Sequence, residues 1–471
     1  MPKMFGFEPV PVPGPRVWPL VGAPKRFYEF LDDPIGVVWA SREQGDVVGV
    51  VGNNPALVCV FGQDLNRRVL SDASTFRHDE DLLRRRDSGA MKVLSEAMVV
   101  INGEKHKRHR RLMLPAFQRS ALDGYSSDIV EVTRARLETW TTGQADLEHL
   151  CRELALCVAM QCFYGLDVSD GVPELGALAV TFVNLLTDPK NILAPIDLPG
   201  TTFRRTRLAA EEMVSRLQGL LQEKRALGAG RTDAMALLVA ARDEDGGRLS
   251  DDELVAEAAT LFVAGHETTA MTLVWVLFAL DRHPDVLADV LAEIDAVLGE
   301  RLPTPEDVPK LVLLDRVIRE TLRVLAPVPI LFMRVLAETT TLGAFTLPKD
   351  ANVVVSPLAT HHDPTLYAEP RRFRPERWET LSPPPYTYLP FGAGPRACIG
   401  LSFADRALRL MLPMILRRWR VAVPEGTRVD RHVRANILMV KGGLPVTLAP
   451  ADRQRRSAAP IEGNLMSLLE T

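Results

Sequence analysis

The chain of 471 residues contains few cysteines and no CxxC pair. Its five cysteines argue against a disulfide framework and a structural zinc site, and they favour a reducing compartment. Positive charge is not in excess either, because 56 lysines and arginines face 60 aspartates and glutamates, for a formal net charge of −4. No basic field is therefore available for nucleic acid. Hydrophobic residues at 46% and charged residues at 25% exclude disordered and fibrous classes.

The chain also shows no signal-peptide pattern, no repeat and no low-complexity linker. We predict a proline-rich lead-in at 1–20, one large domain over 21–450 and a disordered polar tail at 451–471. Helical periodicity dominates 120–241, whereas β-rich segments gather towards the two ends. The sequence therefore favours a mainly α (α+β) fold with a single large domain, and we expect a monomer.

One segment, 258–280, is long and apolar enough to cross a bilayer. It carries His266 and Glu267 near its middle, and a carboxylate at the centre of a bilayer costs roughly 2.5 kcal/mol or more. A helix that is apolar all round also occurs in the core of a large soluble protein. We therefore predict a buried helix that follows a capping box at 250–253, and a soluble cytoplasmic protein without a transmembrane anchor.

The most informative cysteine, Cys398, lies in a glycine-rich loop with the sequence FGAGPRACIG over 391–400. We predict a helix that begins directly after this loop. The N-terminus of a helix carries free amides and a positive partial charge, so we expect the sulfur to be biased towards the thiolate. A thiolate can be the axial ligand of haem iron. A buried structural cysteine and a catalytic nucleophile with a nearby base are the alternatives.

The loop resembles the haem-binding signature of the cytochrome P-450 superfamily, Phe-x-x-Gly-x-Arg-x-Cys-x-Gly, with every fixed position present. The resemblance implies a soluble, bacterial-type haem-thiolate monooxygenase with the single-domain cytochrome P-450 fold. In that fold a large helical part and a smaller β-rich part surround a buried haem b. The resemblance makes Cys398 the iron ligand and Arg396 a partner of a haem propionate. Phe391 would shield the sulfur from water, and Gly392 and Gly400 would let the backbone approach the haem.

Three further motifs appear in the order of the family, and the first is AGHETT over 264–269, inside the apolar helix. Ala264 and Gly265 are small and would let this helix pass close over the haem. Glu267 and Thr268 resemble the family's acid–alcohol pair, which relays protons to dioxygen. Members of the family that rearrange peroxides commonly lack this pair, so its presence favours monooxygenation. A helix with one satisfied polar notch is the structural alternative, and His266 is not assigned as a ligand.

The second motif pairs Glu320 with Arg323 at a spacing of three on one helix face. On a surface such a pair would contribute only about 0.3–0.5 kcal/mol. The resemblance implies that the pair joins Arg377, from a downstream Pro-x-Arg motif, in a structural triad. Trp378 follows Arg377, at a position where the family more often has phenylalanine.

The third motif lies in the densest basic run, EKHKRHRR over 104–111. A solvated helix face is the usual place of such a run, yet His106 and Arg110 share one face. The resemblance assigns this His-x-x-x-Arg pair, together with Arg334, to the haem propionates. The remaining cations of the region form our hypothesis for a surface that docks an acidic electron-transfer protein: Lys107, Arg108, Arg111, Arg406 and Arg409.

The resemblance places the substrate pocket among largely apolar segments, which indicates a lipophilic substrate such as a terpenoid, a fatty acid or a polyketide. The side chains expected to line the pocket are Leu261, Phe262, Val328, Ile330, Leu331, Ile437 and Leu438. The run of Arg84, Arg85 and Arg86 would either meet an anionic end of the substrate or belong to a solvated loop.

The function that the resemblance implies is insertion of one oxygen atom from dioxygen, with haem b as cofactor and electrons from NAD(P)H. No Rossmann or flavin segment is apparent, so a ferredoxin or flavodoxin with its reductase would deliver the electrons. Three alternatives stay open. They are a haem-binding sensor or carrier without turnover, a haem-thiolate isomerase or peroxygenase, and a haem-free enzyme with a cysteine nucleophile.

Overall fold

The computed structural model describes residues 6–18, 22–80, 89–188, 190–191, 196–227 and 232–470. Helices predominate within these ranges. They are α1 (Gly22–Asp32), α2 (Pro34–Arg42), α3 (Gln63–Ser71), α4 (Gly89–Leu94), α5 (Gly103–Met113), α6 (Arg119–Thr139), α7 (Leu147–Tyr164), α8 (Glu174–Leu186), α9 (Thr202–Leu227), α10 (Ala234–Ala240), α11 (Asp251–Gly265), α12 (Glu267–Arg282), α13 (Pro284–Leu298), α14 (Val312–Val324), α15 (Pro357–His361) and α16 (Leu401–Arg418).

The strands are short and form small sheets. They are β1 (Val47–Gly49), β2 (Leu57–Val60), β3 (Phe76–Arg77), β4 (Gly143–Asp146), β5 (Arg334–Leu336), β6 (Thr340–Leu342), β7 (Phe345–Leu347), β8 (Asn352–Val355), β9 (Trp419–Ala422), β10 (Arg431–Arg434), β11 (Ile437–Val440) and β12 (Pro445–Pro450). The predicted fold class, mainly α with a smaller β part, is confirmed.

The largest described sheet has the strand order β1-β2-β8-β5-β3. Its β2 and β8 run parallel, with Val58 opposite Val353, and its other neighbours pair antiparallel. A second sheet has the order β4-β12-β9, while β6–β7 and β10–β11 are antiparallel hairpins. Strands β5 and β11, which carry Arg334 and two of the predicted pocket residues, are therefore each fixed by a neighbouring strand.

The apolar segment passes through the hydrophobic core. Residues 269–280 of α12 are all buried. Asp251–Arg282 is the one stretch of the described chain that is long and apolar enough to span a membrane, and 72% of its most apolar window is buried inside the fold. The predicted capping box starts α11, since the hydroxyl of Ser250 accepts the amide of Glu253 at 3.2 Å and the Glu253 carboxylate accepts the amide of Ser250 at 2.9 Å. Such burial is typical of a core helix.

This segment is two helices, α11 and α12, where we predicted one uninterrupted helix. The break falls at His266, whose φ and ψ are −98° and −50°. Close to it, the hydroxyls of Thr268 and Thr269 donate to the carbonyls of Ala264 and Gly265 at 2.8 and 2.9 Å. Side-chain hydroxyls that bind helix carbonyls compete with the backbone ladder and bend helices, which the apolar pattern does not reveal.

The C-terminal tail also differs from its prediction. Residues 464–467 form a 3-10 turn, and the carbonyl of Leu468 lies 3.0 Å from Nε2 of His362. Three leucines of the tail are buried: Leu465, Leu468 and Leu469. The prediction of disorder over 451–471 is therefore wrong for 461–470, because the polar composition of the tail hides an apolar group that packs against the rest of the fold.

Candidate active site

Backbone hydrogen bonds hold the cysteine loop in place. The amide of Cys398 donates to the carbonyl of Phe391 at 2.8 Å. Gly394 has a φ of +71°, and a Cβ at that position would collide with the carbonyl of Leu70, so the turn requires glycine. Cys398 is exposed, whereas the other four cysteines are buried. Burial nevertheless raises the pKa of its thiol, which is the behaviour of a sulfur in a recess of the molecule and not on its outer surface.

The helix after the loop does not by itself make Cys398 a thiolate. Burial raises the pKa of the Cys398 thiol above its usual value, although the amide of Gly400 and the charge of Arg110 act to lower it. The helix N-terminus therefore acts in the predicted direction, through the amides of Gly400 and Leu401, but burial outweighs it. A metal ion deprotonates the thiol that coordinates it, so the thiolate form depends on coordination.

A short exposed stretch interrupts the core helix where α11 meets α12. Val263 and Ala264 are exposed, and Gly265 and Thr268 are half-buried, although Leu261 and residues 269–280 are buried. This stretch lies in the middle of the core, so its exposed side chains face an interior cleft and not the outer surface. The Thr268 hydroxyl donates back to its own helix, to the carbonyl of Ala264 at 2.8 Å.

Three phenylalanine rings join the helix break to the cysteine loop. A Cβ at Gly265 would collide with the ring of Phe163, whose centroid lies 4.7 Å from that of Phe403 in the first turn of α16. The Phe163 centroid also lies 6.4 Å from that of Phe117, a ring that reaches within 3.8 Å of where a Cβ would lie at Gly400. One aromatic cluster thus links the helix break to the cysteine loop. Sequence reasoning missed Phe163, because it is one apolar residue among many in α7.

Five basic side chains converge near the cysteine loop, and we call them the basic cradle: His78, His106, Arg110, Arg334 and Arg396. Nη1 of Arg110 donates to the carbonyl of Ala397 at 2.8 Å. Nη2 of Arg396 donates to the carbonyl of Ile101 and to Oδ1 of Asn102, both at 2.6 Å. Nη1 of Arg334 contacts Nε2 of His78. The structure thus brings together the four predicted members of this group and adds His78, which no motif marked.

Burial and mutual repulsion shift the pKa values of the basic cradle. Burial and the charge of Arg396 lower the pKa of Arg334 to about 10. Burial and Arg110 likewise lower the pKa of Arg396 to about 10, against the charge of Glu80. Burial and the neighbouring arginines lower the pKa of His106 to about 4. A buried excess of cations is costly without an anion, and carboxylates are the natural partners of guanidinium groups. The donor set therefore fits a ligand with carboxylates.

Comparison with known proteins identifies the chain. A sequence model of the cytochrome P-450 family matches residues 12–447. The chain belongs to the cytochrome P-450 family. Cyclooctatin synthase of Streptomyces melanosporofaciens is 34% identical over 375 residues, which cover 77% of this chain and 80% of that protein. Pentalenene oxygenase of Streptomyces avermitilis is 32% identical over 453 residues, which cover 94% of this chain and 95% of that protein.

Solved structures agree with this assignment. A cyanobacterial cytochrome P-450 with retinoic acid bound is 25% identical, with a TM-score of 0.79 over 94% of this chain and 100% of that chain. The haem domain of cytochrome P-450DA is 23% identical and shows the shared fold, with a TM-score of 0.81 over 96% of this chain and 100% of that chain. The predicted family and fold are confirmed. As a cytochrome P-450, the protein is an oxidoreductase of a family that uses haem iron and dioxygen.

In this cytochrome P-450 the acid of the AGHETT motif is held by an ion pair. Oε1 of Glu267 accepts Nε of Arg152 at 2.8 Å, and Oε2 lies 3.4 Å from Nε2 of His266. Arg152 also lies 3.0 Å from Glu148, which accepts the amide of Val440 in β11 at 2.6 Å. Burial raises the pKa of Glu267, but the hydrogen bond from His266 and the charge of Arg152 outweigh it and lower the pKa. Glu267 is therefore ionised, and Arg152 is a residue that the motifs did not indicate.

The predicted triad is assembled around one buried carboxylate. Glu320 accepts Nε and Nη2 of Arg323 at 3.0 and 2.8 Å and Nε of Arg377 at 2.9 Å. It also accepts the amide of Arg374 at 2.9 Å and the indole nitrogen of Trp378 at 3.0 Å. The tryptophan that replaces the usual phenylalanine therefore adds a hydrogen bond to the carboxylate.

The predicted pocket residues divide between partly exposed and buried positions. Val328 and Leu331 are half-buried. The other five are buried: Leu261, Phe262, Ile330, Ile437 and Leu438. Two large apolar side chains that directly follow predicted pocket residues in the sequence are exposed: Val263 at 38% and Phe332 at 59%. The predicted lining did not include Val263, because an apolar run does not show which of its side chains are exposed.

The cations of the hypothetical docking surface are paired within the chain. Nη2 of Arg108 donates to the carbonyl of Arg248 at 2.6 Å, and its guanidinium lies 3.3 Å from Asp243 and 3.4 Å from Glu253. The other four each lie within 4 Å of a carboxylate: Lys107, Arg111, Arg406 and Arg409. The surface therefore offers less free positive charge than its sequence indicates. Arg84, Arg85 and Arg86 lie outside the described residues.

Proposed function

We propose that this cytochrome P-450 inserts one atom of dioxygen into a lipophilic small molecule, with terpenoids as the favoured class. The observation that carries the proposal is the placement of Cys398 and of the Thr268 helix break on one aromatic cluster, with the basic cradle beside the loop. Relatives that act as monooxygenases on terpenoids, at about 33% identity, support the substrate class.

We propose that Sγ of Cys398 ligates the haem iron and that the basic cradle binds the propionates of haem b. Arg110, Arg334 and Arg396 supply guanidinium groups for those carboxylates, and His106 adds a ring nitrogen. Phe391, Gly392 and Gly400 would contact the haem on the cysteine side, and Ala264 and Gly265 on the opposite side. The bound haem supplies the reductive activation of dioxygen.

Thr268 and Glu267 would move protons in the cleft. The Thr268 hydroxyl donates to the Ala264 carbonyl, and a rotation that releases this carbonyl would let Oγ1 hold a water or pass a proton. The ionised carboxylate of Glu267, held by Arg152, would accept protons from solvent and pass them on to the hydroxyl of Thr268.

The substrate would be bound by apolar side chains of the same cleft. Val263 stands at the helix break, and Leu331 and Phe332 precede β5. Such a lining selects shape and apolar area and offers few polar contacts, as a terpenoid hydrocarbon requires. Electrons would come from NAD(P)H through a ferredoxin or flavodoxin and its reductase, and the protein would act as a cytoplasmic monomer.

The proposal is tested by turnover. Purified haem-loaded protein, a surrogate ferredoxin with its reductase and NADPH are incubated with sesquiterpene and diterpene hydrocarbons under isotopically labelled dioxygen. We expect a product that carries one labelled oxygen atom. A haem protein that consumes no NADPH with any of these hydrocarbons, or that shows no spin-state change when they are added, would contradict the proposal.

Two neighbouring threonines provide a matched control for the proton relay. Thr268→Ala should keep oxygen consumption but lose product, whereas Thr269→Ala should leave product formation close to that of the wild type. Both hydroxyls donate to a carbonyl four residues earlier, at 2.8 and 2.9 Å, so the helix loses the same bond in each variant. Equal coupling in the two variants would exclude a special role of Thr268.

A further inference from the structure

A buried acid–base pair lies outside the groups used so far. His109 on α5 and Glu257 on α11 are both fully buried. Nδ1 of His109 lies 2.7 Å from Oε1 of Glu257, and the amide of Met98 donates to the same oxygen at 2.7 Å. One carboxylate oxygen on the core helix thus binds two separate parts of the chain.

Both of these parts carry or hold members of the basic cradle. The carbonyl of Met98 accepts Nη1 of Arg396 at 3.0 Å, and the carbonyl of Ile101, three residues on, accepts its Nη2 at 2.6 Å. On α5, His109 lies between His106 and Arg110, which belong to the same cradle. The two contacts of Glu257 therefore fix the segment that Arg396 binds relative to the helix that carries His106 and Arg110.

Stability alone does not account for a pair of this kind. Taking two ionisable groups out of water is costly, and an apolar pair of similar volume commonly stabilises a protein as well or better. What an apolar pair cannot do is accept the Met98 amide and orient a ring of α5 at one point. The geometry of the contacts is therefore the property that distinguishes Glu257 from an ordinary buried residue.

We propose that Glu257 is a positioning residue for cofactor binding, which sets the spacing between the Arg396 segment and α5 so that the cradle matches the two propionates of haem. This inference rests on the proposed haem site. Glu257 does not touch the cofactor in this account and acts only through Met98 and His109. Outer partners that orient the groups of a metal site typically contribute about tenfold to a hundredfold in affinity when they are removed.

The test uses haem-loaded protein and measures the rate of haem transfer to an excess of apomyoglobin. Glu257→Ala should release haem at least about tenfold faster than the wild type. Glu257→Gln keeps nearly the same volume and an oxygen that can accept the Met98 amide and face Nδ1 of His109. We expect Glu257→Gln to release haem at a rate within about threefold of the wild type, well below the loss typical of a removed outer partner.

Asp233→Ala is the matched control. Asp233 is also buried, and it accepts a side-chain cation, Lys224 at 2.8 Å, and a backbone amide, that of Ala236 at 3.0 Å. The substitution Asp233→Ala should lower the free energy of unfolding of the protein but have little effect on the rate of haem release. Equal release rates in Asp233→Ala and Glu257→Ala, or a wild-type rate in Glu257→Ala, would overturn the inference.

Two outcomes need to be kept apart. If Glu257→Ala does not fold, His109→Gln replaces the ring that contacts Glu257 and Glu253, leaves the Met98 contact in place and should still raise the release rate. A wild-type rate in that variant would also overturn the inference. If the wild-type protein itself shows no thiolate-type spectrum with carbon monoxide, the proposed haem site fails. If the wild-type spectrum is normal but the variants release haem at the wild-type rate, the proposed haem site stands and only the positioning role of Glu257 is refuted.

Discussion

Replacement of Trp378 by phenylalanine tests how much one hydrogen bond to the Glu320 carboxylate of the structural triad contributes to stability. The variant keeps an aromatic ring beside Tyr388, whose centroid lies 4.9 Å away, and beneath the Arg319 guanidinium at 4.2 Å. It removes the indole N–H that donates to Glu320 at 3.0 Å. A hydrogen bond to a charged group contributes about 1.5–3 kcal/mol. We therefore expect the free energy of unfolding to fall by about 2 kcal/mol from the lost bond, plus about 1 kcal/mol for the smaller ring.

Trp419→Phe is the control for ring size. Trp419 is buried, and its indole nitrogen has no hydrogen-bond partner among the residues that the structure describes. Urea unfolding of both haem-loaded variants, followed by far-ultraviolet circular dichroism, should show Trp378→Phe to be less stable than Trp419→Phe by about 2 kcal/mol. A difference below about 0.5 kcal/mol would refute the contribution of the Trp378 bond, since it lies well under the range for a charged acceptor.

Two further predictions concern an ion pair and the tail. Arg152→Leu removes a charge that lowers the pKa of Glu267, so burial should raise that pKa. The acidic limb of the pH profile for product formation should therefore move to higher pH. A profile that superimposes on that of the wild type would contradict this prediction. Deletion of 461–471 exposes the apolar surface that Leu465, Leu468 and Leu469 cover, and it should lower the free energy of unfolding by about 5 kcal/mol in a urea titration. A loss below about 1 kcal/mol would mean that the tail does not dock in solution.

Local signals predicted much of this molecule. The capping box at Ser250, the helix end before Pro284 and the helix start after the cysteine loop depend on a few adjacent residues, and the structure has all three. The cysteine loop itself could be recognised because its glycines and Cys398 are set within ten positions. Such features are fixed by local chemistry, which a sequence displays directly.

Partners that are distant in sequence could not be predicted. Arg152 is 115 positions from Glu267, and Glu257 is 148 positions from His109, so neither pair forms a motif. The net shift of the Cys398 thiol pKa could not be predicted from the sequence, because burial outweighs the local effect of the helix N-terminus. In each case the deciding quantity is tertiary packing, which a local pattern does not contain.

The central claim is that Cys398 ligates haem iron, and the carbon monoxide spectrum tests it most directly. The reduced wild-type protein exposed to carbon monoxide should show a strongly red-shifted Soret band, because the band in that position requires a thiolate ligand. Cys398→Ala should lose the shift, whereas Cys157→Ala, at a buried cysteine, should keep it. A red-shifted band that survives in Cys398→Ala, or its absence from the wild type with haem bound, would contradict the account.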